Sequence, residues 1–454
     1  MAGRTEKLSE RPVPGGENPA GPAAVASGSP GAPAAEVSEV GATRVLDSGV
    51  RMTVLPSGAR VLSERMDSVR SAAVGFWFRS GSAHEHQALA GISHLLEHMV
   101  FKGTTRRSAR ELALAVEGLG GSLDAYTSHE HTSFLARVPD GGLETAVDVL
   151  ADLSFAPRLA EADLELEREV VLEEVARVED TPDDLVFDLH AEFLFQDHPY
   201  GGPILGRPET VAGIGVADLR LLHEAAFRPS NLVVAAAGYL DHEALVELVA
   251  ERLPAVDVHP VPELKAPARW GRGTRSEARP GGSQAHLVAG AAGVPWSDPL
   301  REATIIVGTA LGGGMTSRLF QRIREELGLA YAVFSWQSFY QKAGAVGAYL
   351  GTRIESLDRA RDALLDELRL LAGNGLQQEE DRETRTQLRG QLLLALESPS
   401  ARMHRLAAIA LQDEPYRSLD EVGRRIDAVT PQQIREACEM LHPDGLAVLE
   451  LVPA

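Results

Sequence analysis

A repeat limits the fold more than any other feature of this chain. LFQDHPY at residues 194–200 returns as ALQDEPY at 410–416, 216 residues later. The text after each copy matches in kind: GIGVADLRLLHEAAFRPSNLVVAAAG in one half, AVTPQQIREACEMLHPDGLAVLELV in the other. Each reads as a turn, a helix and an apolar strand. A chain of 454 residues is also too long for one compact core. Together these features predict two homologous α+β domains, each a mostly antiparallel sheet packed with helices.

Composition sets the boundaries. Residues 1–42 are rich in Pro, Gly, Ala, Ser and Glu. Such a segment cannot bury enough apolar surface to offset its ordering entropy, which predicts a disordered tail. The first domain is expected over 43–253. PAVDVHPVPELKAPARWGRG, 254–273, is Pro-rich without periodicity and reads as a linker. The second domain is expected over 274–454. Within the first, β-prone runs flank the turn PSG, and SAAVGFWF and SLDAYTSHEHTSFLARVP read as further strands. SARELALAVEGLGG reads as a helix stopped by a Gly pair.

Net charge is -21, with a sequence pI of about 5.1. This excludes the basic footprint that nucleic acid requires and favours basic over acidic peptides. The single cysteine, Cys438, excludes an intrachain disulfide and a Cys-rich zinc site. The start shows no apolar signal region and no run is long enough to span a bilayer, so the cytoplasm is the expected location.

The stretch GISHLLEHMVFKG, 91–103, carries the chemistry. On a helix, His94 and His98 stand four apart on one face, with Glu97 beside them. Zinc accepts imidazole and carboxylate ligands and in catalytic sites keeps a position for water. A neighbouring glutamate then takes the proton from that water, and H-x-x-E-H is such an arrangement. The competing reading is a surface helix with two incidental histidines. A third ligand must come from elsewhere, and the acidic helix LELEREVVLEEVARVED is the best supply. Glu167 and Glu174 share one face of it, and Glu169 and Glu173 share another. Spacing alone does not choose between these pairs.

HLLEHMVFKGT followed 76 residues on by EREVVLEE resembles the pitrilysin/insulinase-type zinc metallopeptidase family. Two similar domains in a chain of this length resemble its mitochondrial-processing-peptidase-like branch. The resemblance runs from about residue 45 to 454. It implies His94, His98 and Glu174 as ligands of one zinc ion per chain, with Glu97 as the general base. Glu167 matches a supporting acidic residue. GSLDAYTSHEHTSF resembles the family's edge strand, onto which substrate adds as a further strand, with Asp124, Ala125 and Tyr126 as substrate-binding positions. Asp124 departs from the family, where Asn is usual. GMTSRLFQRIREELGLAYAVFS resembles the second-domain signature. It implies Arg324 as an anchor for substrate backbone and Tyr331 as a donor to the developing oxyanion. At the 216-residue offset the ligand positions map to Ala310, Gly314 and Gly390, so the second domain is expected to hold no zinc.

The resemblance thus implies a zinc endopeptidase acting on peptides or unfolded processing segments. A homodimer is implied, with each site completed by the partner's second domain or across the chain's own halves. The alternative is a non-catalytic peptide-binding or scaffold subunit of the same fold, which has no need of the full residue set. Three further features are weighed and set aside. The Gly-rich LGGGMTSRLF lacks the Lys of a phosphate cradle. The pairs His84/His86 and His129/His131 are expected on solvent-facing strand or loop ends rather than at a second metal. Trp336 and Phe339 are expected to line the core or a cleft.

Overall fold

The turn Pro56–Ser57–Gly58 shows how the first sheet begins. Gly58 takes φ +86, and its N–H donates to the Leu55 carbonyl. This reverses the chain between β2 (Val50–Val54) and β3 (Arg60–Arg65), and β1 (Thr43–Asp47) pairs on the far side of β2. The computed structural model describes residues 41–255, 263–280 and 282–454. Nearly all of the expected tail, and 256–262 of the expected linker, lie outside those residues.

The first sheet adds β4 (Ser71–Phe78), β5 (Ser122–Thr127), β6 (Thr132–Pro139) and β7 (Leu232–Gly238). Its order is β1-β2-β3-β7-β4-β6-β5. The second sheet contains β8 (Gly273–Arg279), β9 (Ala285–Gly293), β10 (Ala330–Phe339), β11 (Gly344–Thr352) and β12 (Ala447–Pro453). Its order is β10-β11-β9-β12-β8. Read from the other edge, β8-β12-β9-β11-β10 repeats β3-β7-β4-β6-β5 strand for strand. The parallel pairs also correspond, β3 with β7 and β8 with β12, while the remaining pairs are antiparallel. The duplication expected from the sequence is thus present in the topology, with the β1–β2 strands added to the first half.

Strand alternation splits each sheet into two buried faces. In β4, Val74, Phe76 and Phe78 join the main core of the first half, whereas Ala73 and Trp77 face the other way. The main core lies under α1 (Ile92–Val100), α2 (Ala109–Glu117), α3 (Leu143–Phe155) and α4 (Glu161–Glu179). The opposite face is covered by a helix of the second half, Pro399–Leu411, through Met403, Leu406, Ala407, Ala410 and Leu411. The second half mirrors this. Helix α5 (Pro182–Phe195), from the first half, sets Leu185 and Val186 against Val288, Leu449 and Leu451 of the second sheet. The halves therefore exchange helices, and the repeat LFQDHPY/ALQDEPY marks the end of each exchanged helix.

The described part of the linker is pinned to this junction. Gly271 N–H donates to the Leu194 carbonyl, His198 bonds the Lys265 carbonyl, and the Trp270 ring packs on Phe195. Trp336 packs edge-on to Phe187 and His190 of α5, as expected of a core or cleft residue. Among the described residues, no helix is long and apolar enough to cross a membrane.

Candidate metal centre

Helix α1 is clamped at its start. Gly91 takes φ +94, and a Cβ there would lie 2.6 Å from the Leu205 carbonyl oxygen. The half-buried Glu85 carboxylate accepts from Gly91 N–H at 2.8 Å and Ser93 N–H at 2.7 Å, meeting donors that a helix start leaves unpaired. Leu95, Leu96, Met99 and Val100 are buried on the sheet side of α1. Packing those residues inward presents His94 and His98 to α4.

Glu174 of α4 meets both histidines. Its Oε2 stands 3.6 Å from His94 Nε2 and 3.6 Å from His98 Nε2. These three ligand atoms lie within 4.8 Å of one another, and among the described residues no other such group of three occurs. A tetrahedral zinc with bonds of about 2.0–2.1 Å sets its ligands about 3.4 Å apart, so the residues fit that ion. Burial, then the neighbouring His98, pulls His94 down to about 3, which keeps its imidazole in the neutral form that metals bind.

Glu97 is buried beside the pair, and Thr127 of β5 donates to its Oε2 at 2.5 Å. Burial pushes this carboxyl up to about 7, and the Thr127 hydrogen bond opposes the shift. Glu167 is also buried, with Oε2 3.2 Å from His98 Nδ1 and Oε1 2.5 Å from Lys102 Nζ. Glu169 and Glu173 are exposed on the far side of α4. The structure thus separates the two acidic pairs that helical spacing left equivalent. Lys102, Thr127 and Glu85 are contacts that the sequence reading missed. Lys102 follows His98 by four residues, the one available signal; Thr127 and Glu85 have none in local spacing.

The edge-strand residues are partly engaged by the protein itself. Among the described residues, β5 borders the sheet and pairs only with β6. Asp124 is exposed and its Oδ1 accepts the next backbone N–H, from Ala125, at 2.9 Å. The Tyr126 hydroxyl accepts from Trp77 Nε1 at 3.0 Å, and its ring lies against His131 and His404. The Tyr126 side chain therefore faces the exchanged helix, not an open cleft.

Arg324 and Tyr331 are brought to each other. The guanidinium lies 4.6 Å over the Tyr331 ring and donates to its carbonyl at 3.2 Å. Neither bonds to the histidine cluster, and Tyr331 is 79% exposed at the start of β10. The solvent-facing expectation for His129 and His131 needs correction. They occupy the turn between β5 and β6, half-buried against the second domain, with His129 edge-on to Tyr200 and Tyr340. His84 accepts from Gly81 N–H and His86 from Ala88 N–H. The second domain offers no ligand set at Ala310, Gly314 and Gly390.

Comparisons with known proteins identify the family. The profile described as "Insulinase (Peptidase family M16)" matches residues 60–208, and "Peptidase M16 inactive domain" matches 213–388. A protein named as an uncharacterized zinc protease of Streptomyces coelicolor is 39% identical over 85% of this chain and 86% of its own. One of the same description from Bacillus subtilis is 34% identical over 88% of this chain and 97% of its own. A solved protease from Helicobacter pylori superposes with a TM-score of 0.82 at 21% identity, covering 89% of this chain and 99% of that one. A structure titled peptidase M16 inactive domain, from Pseudomonas fluorescens, reaches 0.83 at 22% identity, over 89% and 98%. The chain belongs to the insulinase family of peptidases, family M16.

Proposed function

We propose that this protein is a zinc-dependent endopeptidase that hydrolyses peptides or unfolded segments. One observation carries the reading: His94 Nε2 and His98 Nε2 stand 3.6 Å from the same Glu174 oxygen, with the buried Glu97 beside them. His94, His98 and Glu174 would hold one zinc ion per chain, which when bound supplies a Lewis acid for a carbonyl and for water. Glu97 accepts a proton from the attacking water on a carboxylate oxygen and passes it to the leaving amine. The new C–O bond forms first, and the C–N bond breaks as the tetrahedral centre collapses and the amine leaves with that proton. Glu167 holds His98 through its Nδ1.

Substrate adds to the free edge of β5 at Asp124, Ala125 and Tyr126, pairing through backbone groups. Arg324 anchors substrate backbone, and Tyr331 donates to the developing oxyanion. Arg324 and Tyr331 bond to each other and not to the histidine cluster, with Tyr331 exposed, which supports a homodimer in which one chain's second domain completes its partner's site. The net charge of -21 supports basic peptides as substrates.

Zinc content and peptide cleavage should be measured on wild type and Glu97→Gln. Wild type should carry zinc and cleave unfolded substrates. The variant should keep zinc and lose about 10²- to 10⁴-fold in rate. Unchanged cleavage in the variant would sink the role of Glu97, and a wild type without zinc would sink the site.

A further inference from the structure

We infer that Lys102 is a positioning residue of the metal centre, acting on His98 through Glu167. The inference rests on the zinc reading above.

The two oxygens of Glu167 are divided between two partners. Oε2 faces His98 Nδ1 at 3.2 Å, and Oε1 faces Lys102 Nζ at 2.5 Å. An imidazole that binds metal through Nε2 is oriented by the acceptor at Nδ1, which fixes its tautomer and its ring plane. That acceptor is useful only while it is held in place. Glu167 is 6% exposed, between the apolar Leu164 and Val171 of α4. A carboxylate so buried needs close polar partners to offset the loss of its water. Lys102 supplies it with a charge-assisted contact.

The pair of histidines has no second support of this kind. Nδ1 of His94 is buried and has no hydrogen-bond partner among the described residues. Orientation from outside the ligand set therefore enters through His98. The charges also point to Lys102. Glu97, Glu167 and Glu174 bring three carboxyl groups to the cluster. Among the described residues, Lys102 is the only lysine or arginine paired with any of the three.

The backbone holds Lys102 for this task. It leaves the end of α1, where its N–H donates to the Met99 carbonyl. Its own carbonyl accepts from Arg158 Nη2 at 2.9 Å, and the same nitrogen contacts Asp163 of α4 at 2.7 Å. Asp163 and Glu167 are one turn apart on α4. Two parallel ties thus join the exit of α1 to the start of α4, and the inner one ends on the metal-binding imidazole.

The test is zinc affinity of the full chain, by competition with a chromogenic chelator, with the thermal midpoint of the metal-free protein followed alongside. Lys102→Met should weaken zinc binding about 10- to 100-fold at a temperature where the metal-free variant is still folded. Lys102→Arg should stay within about threefold of wild type, because a guanidinium also donates to Oε1. Lys102→Met should add little when combined with Glu167→Gln, since the ammonium acts only through that carboxylate. Wild-type zinc affinity in Lys102→Met would overturn the inference and leave the zinc reading intact. So would a full, additive loss in the double variant, which independent action of the two residues would give. A wild-type chain that binds no zinc would instead overturn the zinc reading, and this inference with it.

Discussion

Glu130 accepts a hydrogen bond from the Tyr200 hydroxyl at 2.6 Å. The same oxygen accepts the Gln341 backbone N–H at 2.8 Å, and the other accepts from Gln412 Nε2 at 3.3 Å. One buried carboxylate in the turn between β5 and β6 thus binds the turn between β10 and β11 and the end of the exchanged helix. Glu130→Ala leaves buried donors unpaired and should destabilise the protein by about 2–3 kcal/mol. Glu130→Gln keeps an acceptor and should cost less. Urea unfolding of both variants checks this; equal losses would locate the effect elsewhere.

His190 gives a pH dependence. It is buried in α5, packs over Gly290 of the second sheet, and its Nε2 bonds the Ala447 carbonyl at 3.1 Å. Burial pulls it down to about 4, and does the same to His129 and His131. The folded protein refuses a proton that the unfolded chain accepts near pH 6.5. Stability is therefore complete above about 6.5 and is lost as pH falls toward 4. At pH 5 the loss from His190 should be about 2 kcal/mol. Thermal midpoints between pH 7.5 and pH 5 should fall less steeply in His190→Gln than in wild type.

The exchanged helix makes a prediction that runs against position in the chain. Leu406 belongs to the second half but is fully buried on the first sheet, with Ala73, Trp77 and Val233. Leu406→Ala should cost about 2–5 kcal/mol. Leu394, 71% exposed on the preceding helix, should change stability by less than about 0.5 kcal/mol when replaced by Ala. Denaturant titrations of the two variants separate these outcomes.

Gly91 ties stability to the metal centre. At φ +94, with the Leu205 carbonyl oxygen 2.6 Å from where a Cβ would sit, alanine must displace the start of α1. Gly91→Ala should cost about 1–3 kcal/mol. It should also weaken zinc binding, because His94 lies three residues on. Calorimetric melting and zinc titration of the variant read the two effects together; loss of stability with unchanged zinc affinity would show that α1 pivots without moving its histidines.

Legibility in the sequence followed the range of the interactions. His94, Glu97 and His98 were readable because helical spacing alone puts them together. Glu174 needed the resemblance, since α4 carries acidic residues on more than one face and exposes Leu166 and Val170. Strands with strong alternation or continuous apolar runs, such as β4 and β7, were plain. The crossing helices α5 and Pro399–Leu411 were not. α5 packs against α4 on one side and the second sheet on the other, so apolar residues surround it and the one-sided period disappears. Thr127 and Lys102 meet their carboxylates through tertiary packing, of which the sequence carries only the four-residue spacing from His98 to Lys102. The Tyr126 side chain turned inward for the same reason: its partner, His404, comes from the other half.

The traded helices give the molecule a stoichiometry of its own. Each sheet borrows its outer lid from the opposite half, so neither half is a unit that could be excised, shuffled or replaced alone. Cut apart, the two fragments would each present a bare apolar sheet face and an orphaned helix shaped for the other. The arrangement is that of a pair of interlocked subunits written as a single polypeptide, and any redesign of one half must carry the matching helix of its sibling with it.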